Sequence, residues 1–134
     1  MRISQAEYDA LVARGCLPPL NKPTARKSPY KSKAEQQYAW ELEDKKNGGT
    51  ILWWAYEPIT LVIVEADGKR CRYTPDFLVV RETALLMTEF IFIEVKGFTR
   101  EAARIRFLAA RERYPFFQFR MVRKTKGGGF EDIL

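Results

Sequence analysis

Apolar residues recur at two different spacings along the chain and divide it into helical and extended stretches. Ser4 is a predicted N-cap for a short helix carrying Ala6, Tyr8, Leu11 and Val12, which Gly15 would end. Cys16 to Pro29 contains Pro18, Pro19, Pro23 and Pro29, whose fixed φ and missing N–H groups bar long regular structure, so it reads as an arm or linker. Ser32 should cap a second helix that runs to about Lys46 and stops at Asn47-Gly48-Gly49. A β-rich section follows, with strands expected at Ile51 to Tyr56, Ile59 to Ala66, Arg70 to Val80 and Thr88 to Val95, and Asp67-Gly68 as a hairpin turn. A long helix from Thr99 to Tyr114 lies between Gly97 and Pro115. A final strand, Phe116 to Val122, leads into a basic, glycine-rich tail.

The order helix, strands, helix, strand predicts an α/β sandwich around a mixed sheet, with a βαβ unit formed by the Thr88 strand, the helix and the Phe116 strand. With 134 residues the chain suits a single domain. We divide it into an N-terminal helix and basic Pro-rich arm (1–29), a core (30–122) and a tail (123–134). No run reaches the ~20 apolar residues of a membrane span, and the first residues do not resemble a secretory signal, so the expected location is the cytoplasm with no membrane partner.

Composition narrows the chemistry. There is no histidine, which excludes His-zinc hydrolases, HNH-type nucleases and Ser-His or Cys-His nucleophile systems. Cys16 and Cys71 form no CxxC pair and read as two buried thiols without a metal or disulfide signature. Hydrolysis would therefore run on carboxylates and lysines, with or without a metal ion. A net charge of +6 favours a polyanionic partner, nucleic acid first.

Three carboxylates stand out against this background. On the second helix Ala34, Tyr38, Ala39 and Leu42 fall within an arc of roughly 140°, and Glu35 lies inside it, although Trp40 falls outside. A carboxylate on a core-facing side needs a cation, a hydrogen bond or an ion-pair partner; snorkelling to solvent is the competing reading. Glu89 to Lys96 is apolar at consecutive central positions, as in a strand buried on both faces, and its period of two puts Glu94 and Lys96 on one face at its C-terminal end. An ion pair at the sheet edge is the alternative there. Asp76 follows Pro75, where a lost ladder hydrogen bond implies a bulge or bend that re-aims the next side chain. Two carboxylates on neighbouring strands suit Mg²⁺ or Mn²⁺, with a lysine aimed into the same site. The ion would polarise a scissile phosphate and acidify water, while Lys96 orients that water or stabilises the developing charge.

Thr74-Pro75-Asp76-Phe77 followed by Glu94-Val95-Lys96-Gly97 resembles the PD-(D/E)XK, or restriction-endonuclease-like, nuclease superfamily. Ser32-Lys33-Ala34-Glu35 with Tyr38 and Leu42, and Tyr56-Glu57-Pro58, are similar to its small phage-type and transposon-end members, over roughly residues 30 to 122. The resemblance implies a central mixed sheet flanked by helices and a metal-dependent endonuclease acting on DNA, in a bacterial host cytoplasm if phage-encoded. It implies Mg²⁺ held by Asp76, Glu94 and the Val95 backbone carbonyl, with Mn²⁺ able to substitute and Glu35 completing the site through water or a second metal. Branched or recombination DNA is the expected substrate, and a non-catalytic nucleic-acid-binding protein with a nuclease-like fold is the alternative.

For holding DNA, Arg100, Arg104 and Arg111 fall within about 40° on the third helix, whose N-terminal end also favours phosphate. Lys31 or Lys33 should flank the scissile backbone, with Lys124 and Lys126 as further contacts that position DNA without reading it. Ile105 and Leu108 form one apolar stripe on this helix, and Phe107 and Tyr114 another. One should cover the sheet and the other a second copy of the chain in a homodimer, unless the N-terminal helix covers it.

Overall fold

The computed structural model describes residues 4–15, 28–64, 67–97 and 101–134. Among these the chain forms α1 (Gln5–Ala13), α2 (Lys33–Asn47), β1 (Trp53–Tyr56), β2 (Leu61–Val64), β3 (Arg70–Tyr73), β4 (Phe77–Glu82), β5 (Thr88–Lys96), α3 (Glu101–Arg113), β6 (Gln118–Lys124) and β7 (Phe130–Asp132). The two predicted N-caps are in place, with Ser4 accepting from the Glu7 N–H and Ser32 from the Glu35 N–H. The Pro-rich arm lies outside the described residues except for Ser28 and Pro29. Of the two thiols expected to be buried, Cys71 is half-buried and Cys16 lies outside the described residues.

The main sheet is mixed and five-stranded, in the order β1-β4-β5-β6-β7. β5 and β6 are parallel, as the expected strand–helix–strand unit requires, and the other pairs are antiparallel. β5 is central, and its alternation now has a physical meaning: Ile91, Ile93 and Val95 face one apolar cluster, and Phe92 the other. On the first face α2 buries Tyr38, Ala39 and Leu42 against Phe77 and Val79. On the second, α3 buries Phe107 and Ala110 against Leu78, Phe119 and Met121. The mixed α/β class expected from the order of elements is therefore present.

Two expectations change, and a choice left open on α3 is narrowed. The run Arg70 to Val80 is not one strand. Pro75 has no N–H to donate, and Thr74-Pro75-Asp76 carries the chain out of a separate two-stranded sheet, β2-β3, into the main sheet as β4. Within that hairpin Gly68 takes the positive φ of 82° that the turn requires. The basic tail is also more ordered than its glycines suggested: β6 continues to Lys124, the chain turns, and β7 returns to pair Phe130 with Lys124. Of the two α3 stripes, Phe107 is buried in the body and Tyr114 packs there with its hydroxyl donating to the Val62 carbonyl at 2.8 Å, while from the other stripe Leu108 also packs against this cluster and Ile105 stays exposed. α1 buries no residue, so among the described residues it does not cover that second stripe. No helix among the described residues is long and apolar enough to cross a membrane.

Candidate active site

The carboxylates meet at one end of the main sheet, where its two faces come together. Antiparallel pairing sets Tyr56 opposite Phe77 and Phe77 opposite Ile93, so the ends of β1, the start of β4 and the C-terminal half of β5 lie side by side. Asp76, freed from the ladder by the break at Pro75, is only 8% exposed, and its Oδ2 accepts from the Val95 N–H at 2.8 Å. The side-chain bond thus replaces a ladder partner and locks the carboxyl beside β5. Glu94 projects from β5 on the α3 side, and its Oε2 accepts from the Tyr73 hydroxyl at 2.7 Å. Glu35, 5% exposed in the first turn of α2, comes from the opposite side of the sheet, and its Oε1 accepts from the Tyr56 hydroxyl at 3.3 Å. Its burial agrees with its place inside the apolar arc, and Trp40, which fell outside that arc, is 60% exposed.

Each of these carboxyls is therefore held by at least one fixed donor. Burial pushes the Asp76 carboxyl well above the usual range, and the Glu94 charge and then Glu35 push it further, against the pull of the Val95 N–H. Glu94 is raised for the same leading reason, burial, while the Tyr73 hydroxyl and the Asp76 backbone N–H pull it back down. The phenols of Tyr73 and Tyr56 are raised too, first by burial and then by Glu94 and Glu35 respectively, which keeps both as donors. Crowded, desolvated acids held by fixed donors carry an electrostatic strain that a cation relieves.

The donor set fits a hard divalent ion: it consists of carboxylate oxygens, without thiol or imidazole. Among the described residues no three such side chains stand in a ready-made cage, so the ion would draw the free oxygens together on binding. Lys96 shares the face of Glu94 two residues on, is half-buried and makes no ion pair among the described residues.

Lys31 is the expected DNA contact that the fold brings to the carboxylates. Its ammonium lies 2.7 Å from Glu57 Oε1, and Asp76 and Glu35 add to the upward shift that Glu57 imposes on it. Lys33, Arg104, Lys124 and Lys126 are exposed, as is Arg111, whose guanidinium lies 5.8 Å from the Phe107 ring centroid. Arg100 is outside the described residues. Tyr73, Tyr56 and Glu57 have no assigned role in the sequence reading. Inward alternation of Cys71 and Tyr73 could have flagged the first, but nothing local announces that β3 belongs to another sheet and ends against Glu94.

Because both shifts are upward, the sign of the pH dependence follows. In metal-free protein the stability associated with Asp76 is complete below the ordinary carboxylate value of 3.8 and is lost as pH rises through the raised value. Asp76→Asn keeps an oxygen for the Val95 N–H and removes the charge. We expect it to melt several degrees above wild type at neutral pH in EDTA, at about 3–6 °C per kcal/mol for a chain of this size, and to converge with wild type near pH 4. A lower Tm at neutral pH would show that the crowding has been misjudged.

Comparison with known proteins finds no matching family model, no matching curated protein and no matching solved structure.

Proposed function

We propose that this protein is a Mg²⁺-dependent endodeoxyribonuclease of the PD-(D/E)XK type with a restriction-endonuclease-like fold. The observation that carries the reading is Asp76 anchored by the Val95 N–H beside Glu94, with Lys96 on the face of Glu94 at the same sheet end. Asp76 and Glu94, with the Val95 carbonyl, would hold the ion, and Glu35 would complete its surroundings. Mn²⁺ has the same preference for oxygen and would substitute. The ion supplies charge neutralisation at the phosphate and a more acidic water for attack.

The chain's own groups do the rest. Lys96, two residues beyond Glu94, sets the orientation of the attacking water and neutralises charge developing on the phosphate oxygens. Tyr73 and Tyr56 hold one oxygen each of Glu94 and Glu35, which would limit how far these carboxyls must move to meet an ion. The net charge of +6 and the exposed Arg104, Arg111 and Lys33 favour a DNA partner held by its backbone. Contacts of that kind do not read bases, so a branched or recombination structure suits this small chain better than a cut sequence. Two copies related by a dyad would serve to cut both strands.

The test is cleavage of supercoiled plasmid, single strands and four-way junctions. We expect cutting with Mg²⁺ or Mn²⁺, none in EDTA, and preference for the junction. Cutting that survives EDTA would refute the mechanism. Tight DNA binding without cutting under any condition would instead establish a non-catalytic binding protein.

A further inference from the structure

Among the described residues Glu57 is the one at this sheet end with a strained backbone. Its φ is +46°, a left-handed conformation that side-chain-bearing residues rarely adopt, and it precedes Pro58, which pushes its neighbour toward extended conformations. Such a conformation persists only where the surroundings force it. Here the Glu57 N–H donates to the Asp76 carbonyl at 2.8 Å, so the strained residue is tied to the residue that carries the central carboxylate. The kink turns the Glu57 side chain toward Lys31. Glu57 Oε1 is closed off from solvent and pairs with the Lys31 ammonium at 2.7 Å. Lys31 itself is 72% exposed. An ion pair that open contributes little to stability and does not account for the backbone strain.

We propose that Lys31 takes hold of a phosphate oxygen of the bound DNA strand, and that Glu57 is its positioning residue, keeping the ammonium beside the carboxylates until the phosphate replaces it. This rests on the reading of the site as one for DNA. It separates Lys31 from Lys33, which is equally basic and exposed but forms no ion pair among the described residues. The exchange is balanced in charge: the ammonium leaves one oxyanion for another. The released Glu57 carboxylate stays beside the departing pair and favours its re-formation after the strand leaves.

The experiment measures binding of labelled junction and duplex DNA to the full chain in EDTA at several salt concentrations. Lys31→Ala, Lys33→Ala and Glu57→Gln are compared with wild type, and melting curves confirm that each is folded. Lys31→Ala should weaken binding about tenfold and reduce the slope of log K against log salt by about one, while Lys33→Ala changes the slope less. Glu57→Gln removes the competitor for the ammonium, so it should bind DNA as tightly as wild type or several-fold more tightly. In Mg²⁺ its kcat should nevertheless fall with KM unchanged or lower, a split that a purely structural role would not produce. An unchanged salt slope in Lys31→Ala would overturn the proposal, as would Glu57→Gln weakening binding as much as Lys31→Ala. Binding with a Lys31-dependent slope but no cutting would refute the nuclease and leave the phosphate contact standing; no DNA binding by wild type would overturn both.

Discussion

Lys96→Ala is expected to lower the cleavage rate by about 10²–10³-fold while DNA binding stays within a few-fold of wild type. The separation follows from where the lysine stands. It lies at the end of β5, two residues beyond Glu94, half-buried and without an ion-pair partner among the described residues, so in the proposed function its ammonium would be available to the reacting phosphate. In the proposed function, binding to the backbone would be spread over exposed basic groups such as Arg104, Arg111 and Lys33, and the loss of one charge beside Glu94 should change it little. Lys96→Arg should not restore full activity, because a planar guanidinium cannot occupy the place of a compact ammonium. Single-turnover cleavage of a junction at saturating protein, with anisotropy for binding, measures both quantities. A variant that cuts at the wild-type rate would remove Lys96 from the chemistry, and one that loses binding in proportion to rate would make it an ordinary phosphate contact.

How much of this was readable from residue order alone depends on the range of the interactions involved. Helix caps and alternation are local, and Ser32, the buried face of α2 and the two-sided burial of β5 are found where those signals put them. Glu35 was legible for the same reason, since an angle around a helix is set by neighbours within four residues. The break at Pro75 was legible as a disturbance but not as a change of sheet. Whether a chain bends within one sheet or leaves it depends on what lies across the gap, and β4 pairs with β1 and β5 rather than with β2. β7 was missed because its signal is three residues long and its partner, β6, had been given too early an end. The donors of the site were missed on similar grounds. Tyr73 meets Glu94 across 21 positions and Tyr56 meets Glu35 across 21, separations over which no periodicity carries information.

Phe77→Ala is expected to destabilise the protein by about 3–5 kcal/mol, the largest loss from a single side chain outside the reacting groups. Phe77 is 0% exposed and packs against Tyr38 and Tyr56, each with ring centroids 5.3 Å from its own, against Trp54 at 5.9 Å and against Tyr30 at 6.3 Å. Alanine would leave these rings around a void that they cannot fill without abandoning α2, β1 or the segment before α2. Phe116, at 79% exposed, supplies the control: Phe116→Ala should change stability by no more than about 0.5 kcal/mol. Denaturant melts of both variants in EDTA test the contrast, and a Phe77→Ala loss below about 1 kcal/mol would mean that the aromatic cluster is not the keystone of the α2 face. The effect should also reach the chemistry. Phe77 adjoins Asp76 in sequence and lies beside Tyr56, the donor to Glu35, so a loosened ring cluster releases two of the three carboxyls from their fixed directions at once. Where Phe77→Ala remains folded at low temperature, divalent-ion affinity should therefore fall by about 10–100-fold, as when the groups that orient metal ligands are removed.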